Sequence, residues 1–226
     1  RASSTSRGLG DVYKRQEYVN RGIFHGNRAS GKAETADDVR KSKAGHGIAI
    51  TEIAENGGKW SIVKDSFYNR RITADTPVVI TGPAAGHQTL KTGADPSGFM
   101  ALGTFNNCGN GRTPWGTYLT CEENFNGYFS ASNKRFKQTK EMKRYGIKNK
   151  DRGYNWASED ERFDLSKQPN EINRHGYITE IDPLNPNSTP KKRTALGRFK
   201  HENAEVVLAG NGLSLIHISE PTRRRG

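Results

Sequence analysis

The 226-residue sequence is poor in hydrophobic residues (32%) and contains only two cysteines. No stretch is long and apolar enough to cross a membrane, which takes about 20 mostly apolar residues. The two cysteines, Cys108 and Cys121, leave three interpretations open: a disulfide, a metal ligand, or two buried thiols. Counting alone favours buried thiols, because a free cysteine behaves as a small hydrophobic residue.

Several motifs that would indicate a particular chemistry are also absent. There is no CxxC pair, no HExxH motif and no EF-hand loop, so spacing alone identifies no metal site. No serine lies in a GxSxG elbow, which argues against a serine hydrolase. What the sequence does have is glycine, with 25 residues. Low hydrophobicity with abundant glycine is typical of many short strands joined by turns.

Two eleven-residue stretches near the ends can be encoded by opposite strands of one DNA segment. They are SRGLGDVYKRQ (Ser6–Gln16) and LSLIHISEPTR (Leu213–Arg223). Read backwards, each residue of one stretch has a codon whose reverse complement encodes its counterpart in the other. We therefore predict that 1–16 and 213–226 are translated sequencing adapter, to be left out of fold reasoning. The natural sequence would then be 17–212, cut at both borders.

The net charge of +12 is partly a property of these ends. Residues 1–16 contribute +3 and residues 213–226 contribute +2, which leaves +7 for residues 17–212. This mildly basic balance does not by itself argue for nucleic acid, and we predict no nucleic-acid partner. Lysine and arginine cluster in 134–152 and 191–200. Both stretches resemble solvated loops, and their charge could attract an anionic substrate such as a phosphate ester.

The hydrophobic pattern predicts an all-β chain. Residues 17–45 are polar and are predicted to form a loop and linker. From His46 the sequence alternates in HGIAITEI, turns at NGGKW and continues in WSIVKDS, which predicts a hairpin. The order His-Gly, strand, turn, strand recurs in HGYITEIDPLNPNSTPKKRTALG (175–197). Such a repeated unit is typical of propeller blades, although two unrelated hairpins would also produce it.

The densest group of reactive residues lies between Asn106 and Phe129, in NNCGNGRTPWGTYLTCEENFNGYF. The thiolate of Cys108 beside carboxylates suits a borderline or redox metal, and carboxylate and amide oxygens suit calcium. Glu122 and Glu123 are adjacent, so in a strand at most one of them faces a given site. By spacing alone, a Gly/Asn-rich turn with a surface acidic pair is the better explanation of the stretch. A second candidate is the His-Glu pair that ends in Glu202.

Three stretches together resemble the PhoX family of bacterial alkaline phosphatases. They are NRRITADTPVVITGPAAGH, GTFNNCGNGRTPWGTYLTCEENFNGYF and HGYITEIDPLNPNSTPKKRTALGRFKHE, and the resemblance covers about 46–205. EYVN, which begins at Glu17, resembles the early NHEY segment of the family. Two departures, NNCGNG for NNCAGG and KHEN for KHEG, remove no candidate ligand.

The resemblance implies a six-bladed β-propeller with iron (Fe3+) and calcium (Ca2+) at its axis. It implies hydrolysis of small phosphomonoesters, and export by the twin-arginine route to the periplasm or beyond. By motif position, Cys108 would be the thiolate ligand of iron, and Glu17 and Glu202 carboxylate ligands of the cluster. Glu123 would be a calcium ligand, with Glu122 as the alternative at that position.

The further ligands and the substrate-binding residues of the family lie in a second half that this sequence lacks. A partial propeller leaves open sheet edges and half of the cluster. We therefore expect residues 17–212 to be the N-terminal part of such a propeller, neither stably folded nor active on its own. The alternative from another class is a non-catalytic propeller that binds a partner or ligand through its loops.

Overall fold

The computed structural model describes residues 24–26 and 31–211, together with the backbone of 214–219. Most of the secondary structure in these residues is β. The described strands are β1 (Ile48–Ile50), β2 (Ile53–Asn56), β3 (Lys59–Ile62), β4 (Arg70–Ile72), β5 (Pro77–Thr81), β6 (Met100–Leu102), β7 (Asn107–Arg112), β8 (Tyr118–Glu122), β9 (Ile178–Ile181), β10 (Lys191–Arg193), β11 (Asn203–Leu208) and β12 (Ser214–Ser219).

Six of these strands form one mixed sheet in the order β6-β5-β10-β9-β8-β7. The pair β5–β10 is parallel, and the other neighbours are antiparallel. Three further pairs, β1–β4, β2–β3 and β11–β12, are two-stranded and antiparallel. Among the described residues no sheet closes on itself. The predicted β class is therefore confirmed, whereas the described strands show no closed propeller.

From residue 31 to residue 211, helices are few and short. They are α1 (Ala36–Gly45), α2 (Lys140–Arg144) and α3 (Trp156–Glu159), with 3-10 turns at Gln88–Leu90, Phe125–Gly127, Glu161–Phe163, Glu171–Arg174 and Thr194–Leu196. No helix in the described part of the chain has both the length and the apolar surface to span a membrane. The helix α2 lies within the lysine- and arginine-rich stretch 134–152.

The main core is aromatic and lies at one end of the large sheet. Its fully buried rings include Phe105, Tyr128, Trp156 and Phe163, with ring centroids 4.6 to 5.8 Å apart in contacting pairs. Edge-to-face and tilted contacts of this kind add to the burial of ring area. A second cluster, which includes Cys121, fills the space between the sheet and β11. The aromatic core fixes the backbone that leads into and out of β7 and β8.

The turn predicted at NGGKW is confirmed between β2 and β3, with Asn56 opposite Lys59. The prediction of HGIAITEI as the first strand of this hairpin is wrong, because the stretch divides into β1, which pairs with β4, and the start of β2. The two turn glycines, Gly57 and Gly58, have φ of 59° and 79°, as a two-residue turn between twisted strands requires. The loop predicted for 17–45 is wrong for its last ten residues, which form α1. Thr35 accepts a hydrogen bond from the Asp38 amide, and the Asp38 carboxylate accepts one from the Thr35 amide. Such a capping box indicates the start of a helix, whereas the polar composition of the stretch favoured a loop.

Candidate metal centre

The ends of β7, β8 and β11 meet in one place. The amide of Glu123 donates to the Asn106 carbonyl at 2.9 Å, and the amide of His201 donates to the Glu122 carbonyl at 3.1 Å. These two bonds bring the residues that flank Cys108, Glu123 and Glu202 onto one edge of the fold. Asn106 has a φ of 52°, and its side-chain oxygen accepts from the next amide after Glu123 at 2.6 Å. The chain therefore reverses tightly at this edge.

Two glycines of β7 allow β11 to lie directly against it. A Cβ atom at Gly109 would lie 1.6 Å from the Glu202 carbonyl oxygen, and one at Gly111 would lie 1.9 Å from the Ala204 carbonyl oxygen. Any larger side chain would push β11 away. Between Asn107 and Asn110 the pairing with β8 is irregular. Two residues of β7, one of them Cys108, are therefore opposite one residue of β8, as in a β-bulge.

Glu122 is fully buried, and both of its carboxylate oxygens accept hydrogen bonds. Oε1 accepts from Lys192 Nζ at 2.8 Å, and Oε2 accepts from the amides of Gly176 (2.7 Å) and Tyr177 (3.1 Å). Burial alone would raise the pKa of Glu122. The charge of Lys192, together with hydrogen bonds to the carboxylate, outweighs burial and lowers this pKa to about 2. Glu122 is thus an ionised carboxylate held from two sides.

Lys192 has no exposed surface, and all three of its N–H donors have acceptors. Besides Glu122, Nζ donates to the Arg174 carbonyl and to His175 Nδ1, at 2.9 Å each. Burial lowers the pKa of Lys192, and the negative charge of Glu122 opposes that shift. Burial and the adjacent ammonium group lower the pKa of His175. A neutral His175 accepts at Nδ1 and donates from Nε2 to the Glu171 carboxylate at 3.4 Å.

The predicted ligands differ in how the structure presents them. Cys108 is half-buried, Glu123 is 8% exposed and Glu202 is half-buried, all at the edge where β7, β8 and β11 meet. Glu17 lies outside the described residues. Within the described part of the chain, no group of three or more His, Cys, Asp or Glu side chains is close enough to hold a metal ion. The two cysteines form no disulfide with each other. The expectation of two buried thiols holds for Cys121, whereas Cys108 is only half-buried.

The chemistry of the donors at this edge nevertheless fits a metal centre in kind. A thiolate, carboxylates, an amide oxygen and an imidazole nitrogen are the groups that iron and calcium take in proteins. The buried Oδ1 of Asn107 and the buried Nδ1 of His201 have no hydrogen-bond partner among the residues that the structure describes. Unpaired buried polar atoms are rare and point to a missing ion, water or ligand. The described donors are therefore suitable in type and incomplete in number.

Sequence reasoning missed Lys192 and His175, the fully buried partners of Glu122. Lys192 was part of a basic stretch taken for a solvated loop, and the structure shows that this part of the prediction is wrong. Side chains alternate between the two faces of a strand, and on β10 the buried Lys192 lies between an exposed and a half-buried residue. This alternation is the signal that could have indicated an inward-facing lysine. A lysine on the inward face of a strand requires a buried anion, which here is Glu122.

The fold matches that of a solved protein. The structure described as Pseudomonas fluorescens PhoX in complex with vanadate, a transition state analogue, superimposes with a TM-score of 0.85 and is 48% identical in sequence. The match covers 91% of this chain and 35% of that one, so this chain spans about a third of the length of the solved protein. No match is found among curated proteins.

A family model described as alkaline phosphatase PhoX matches residues 6–224. The chain belongs to the PhoX alkaline phosphatase family. The matched range extends into both stretches that we interpret as adapter, and the backbone of 214–219 pairs with β11 as β12. The boundaries at 16/17 and 212/213 stay predictions.

Proposed function

We propose that this chain is part of a metal-dependent phosphomonoester hydrolase. The observation that carries the proposal is the close match, in sequence and fold, to a phosphatase that binds vanadate, an analogue of a phosphoryl-transfer transition state. The substrate class that follows is a small phosphate monoester. The same match supports a partial β-propeller fold, and family membership supports an exported protein in the periplasm or the medium.

We assign Cys108 as a ligand of iron, Glu202 and Glu17 as carboxylate ligands of the cluster, and Glu123 as a calcium ligand. Glu122 was the alternative at the last position. Its two oxygens are already engaged by one ammonium group and two amides, so its role is to fix the end of β8. This engagement favours Glu123, for which the described residues provide no salt bridge.

When bound, iron and calcium would neutralise the phosphoryl oxygens and activate an oxygen nucleophile, so the chemistry requires no serine. The residues of this chain supply ligands and hold them in place. The amide of His201 fixes β11 to the end of β8, and the buried Lys192 neutralises the carboxylate next to Glu123. The chain by itself provides an incomplete donor set, and we propose that it is inactive without the remainder of the protein.

The test compares the complete protein with this chain alone. Each is purified, its iron and calcium are measured by mass spectrometry, and hydrolysis of p-nitrophenyl phosphate is followed with calcium present and after chelation. We expect calcium-dependent hydrolysis from the complete protein and none from this chain. Glu202→Gln should reduce both metal content and activity. Glu205→Gln is a matched control, because Glu205 is an exposed carboxylate on β11, the strand that begins directly after Glu202.

Each outcome separates the alternatives. A complete protein that binds metal but hydrolyses no phosphate ester would support the non-catalytic binding module instead. Hydrolysis by this chain alone, as a monomer, would overturn the proposal that it is inactive. Activity that survives exhaustive removal of iron and calcium would overturn the metal dependence.

A further inference from the structure

One segment of the chain carries nine of its 36 lysine and arginine residues. We name residues 134–152 the basic segment. It contains two acidic residues, Glu141 and Asp151, and nine basic ones. All nine basic side chains are exposed: Lys134, Arg135, Lys137, Lys140, Lys143, Arg144, Lys148, Lys150 and Arg152. This excess of positive charge is far larger than a solvated loop needs.

The charges are held on an ordered scaffold. Met142 is 4% exposed and Ile147 is 1% exposed, and both side chains are buried in the aromatic core. The part of the basic segment between these two residues is therefore anchored at both ends. The side chain of Thr139 caps α2 by accepting from the Met142 amide at 3.1 Å. The Asn149 amide closes the segment on itself by donating to the Phe136 carbonyl at 2.7 Å. The positive side chains therefore have fixed attachment points in the fold.

The basic segment lies beside the candidate metal centre. The side-chain amide of Asn126 donates to the carbonyls of Tyr145 (3.1 Å) and Gly146 (2.9 Å). The Tyr145 hydroxyl donates to the Arg198 carbonyl at 3.0 Å, and the Arg198 guanidinium covers the Tyr145 ring at 4.2 Å. Asn126 is three residues after Glu123. The end of α2 is thus joined to both chain segments that bear candidate ligands.

At low ionic strength, the length of chain between Asn126 and Glu123 is short compared with the range over which charges act. Three residues of chain reach at most about 11 Å. The Debye length is roughly 8 Å at physiological ionic strength and about 30 Å at 0.01 M. In the described part of the chain, no carboxylate forms a salt bridge with Lys140, Lys143 or Arg144. At 0.01 M salt we therefore expect the field of these three side chains to reach the site, and to weaken as salt is added.

We propose that the basic segment attracts doubly negative phosphate monoesters to the site and thereby sets its preference for dianions. The inference rests on the proposed function and adds the charge state of the preferred substrate. Surface charge of one sign near a site raises the local concentration and the encounter rate of the opposite ion, by up to 10- to 1,000-fold. A phosphate monoester carries nearly two charges above its second pKa of about 6.

The test uses the complete enzyme with Lys140→Gln, Lys143→Gln and Arg144→Gln combined. Glutamine favours helices and keeps part of the apolar stem while it removes the charge, and the control triple shortens its side chains in the same way. The matched control combines Lys59→Gln, Lys64→Gln and Lys191→Gln, three exposed cations outside the basic segment. For each, kcat and KM for p-nitrophenyl phosphate and the inhibition constant of inorganic phosphate are measured at pH 8 from 0.01 to 0.5 M salt.

We expect kcat/KM of the first variant to fall about three- to tenfold at 0.01 M salt, with kcat changed less than twofold. The inhibition constant of phosphate should rise in parallel, and both effects should shrink below twofold at 0.5 M. An active enzyme whose two variants show the same salt dependence would overturn this inference alone. A complete protein without phosphatase activity would overturn it together with the proposed function.

Discussion

Replacing Lys192 by methionine tests the buried ion pair behind the candidate metal centre. Methionine fills a similar volume but removes the charge and all three hydrogen-bond donors of the side chain. Glu122 would then be a buried carboxylate held only by the amides of Gly176 and Tyr177. His175 would lose the donor at its Nδ1 atom, which lies 3.9 Å from Glu122.

The expected cost follows from what remains buried. Neither partner has any side-chain exposure. Removing one member of a buried, hydrogen-bonded ion pair typically costs about 3 to 5 kcal/mol, because the other charge stays uncompensated. Adding Glu122→Gln to Lys192→Met removes that charge and keeps an acceptor for the two amides. The double variant should therefore recover about 2 kcal/mol relative to Lys192→Met alone.

The assay is urea unfolding of the complete protein at pH 7, together with hydrogen exchange at the amides of Gly176 and Tyr177. Exchange at these amides reports the local opening of the end of β8. Lys191→Met is the matched control, because Lys191 is the exposed neighbour of Lys192 on β10. The reasoning is refuted if Lys192→Met costs less than about 1 kcal/mol. It is also refuted if Glu122→Gln adds a further loss rather than restoring stability.

Three further predictions concern the pH dependence, a turn and the thiols. Burial lowers the pKa of His46 to about 4, so the unfolded chain takes up a proton at higher pH than the folded one. The free energy of unfolding should therefore fall by about 3 kcal/mol as the pH is lowered from 6.5 to 4. In urea titrations, His46→Gln should flatten this dependence. Gly47→Ala should cost about 3 kcal/mol in the same assay, because φ is 90° and the new Cβ would lie 2.0 Å from a backbone oxygen. Gly57→Ala is the control: φ is 59° and the space around it is open, so the cost should be about 1 kcal/mol. In the complete protein, Cys108→Ser should remove iron and most activity while Cys121→Ser stays mild, as metal analysis and kinetics would show; equal effects would contradict the assignment of Cys108.

The strand pattern and the motifs were readable from the sequence because they are local. Alternation and the NGGKW turn specify the β2–β3 hairpin within ten residues, and short-range geometry decides such turns. The stretch around Cys108 carries the family resemblance, which the comparisons confirm. The helix α1 was missed although its capping box is also local, because polar composition was given more weight than the spacing of Thr35 and Asp38.

The partners of Glu122 were decided by tertiary structure alone. Glu122 and Lys192 are 70 residues apart, and no periodicity in the sequence links them. Which of the adjacent residues Glu122 and Glu123 turns inward depends on where β8 ends and how β10 crosses the sheet. The same holds for the position of the basic segment, whose charge is visible in the sequence. Its place beside the candidate ligands depends on the contacts of Asn126 and Tyr145.

The sequence by itself therefore determined the family, the β class and the residue types available for a metal centre. These follow from composition, alternation and motifs, which are properties of neighbouring residues. Only the tertiary structure decided which charges are buried together and which surround the site. Burial sets the strength of an electrostatic interaction, and burial arises when distant parts of the chain pack against each other.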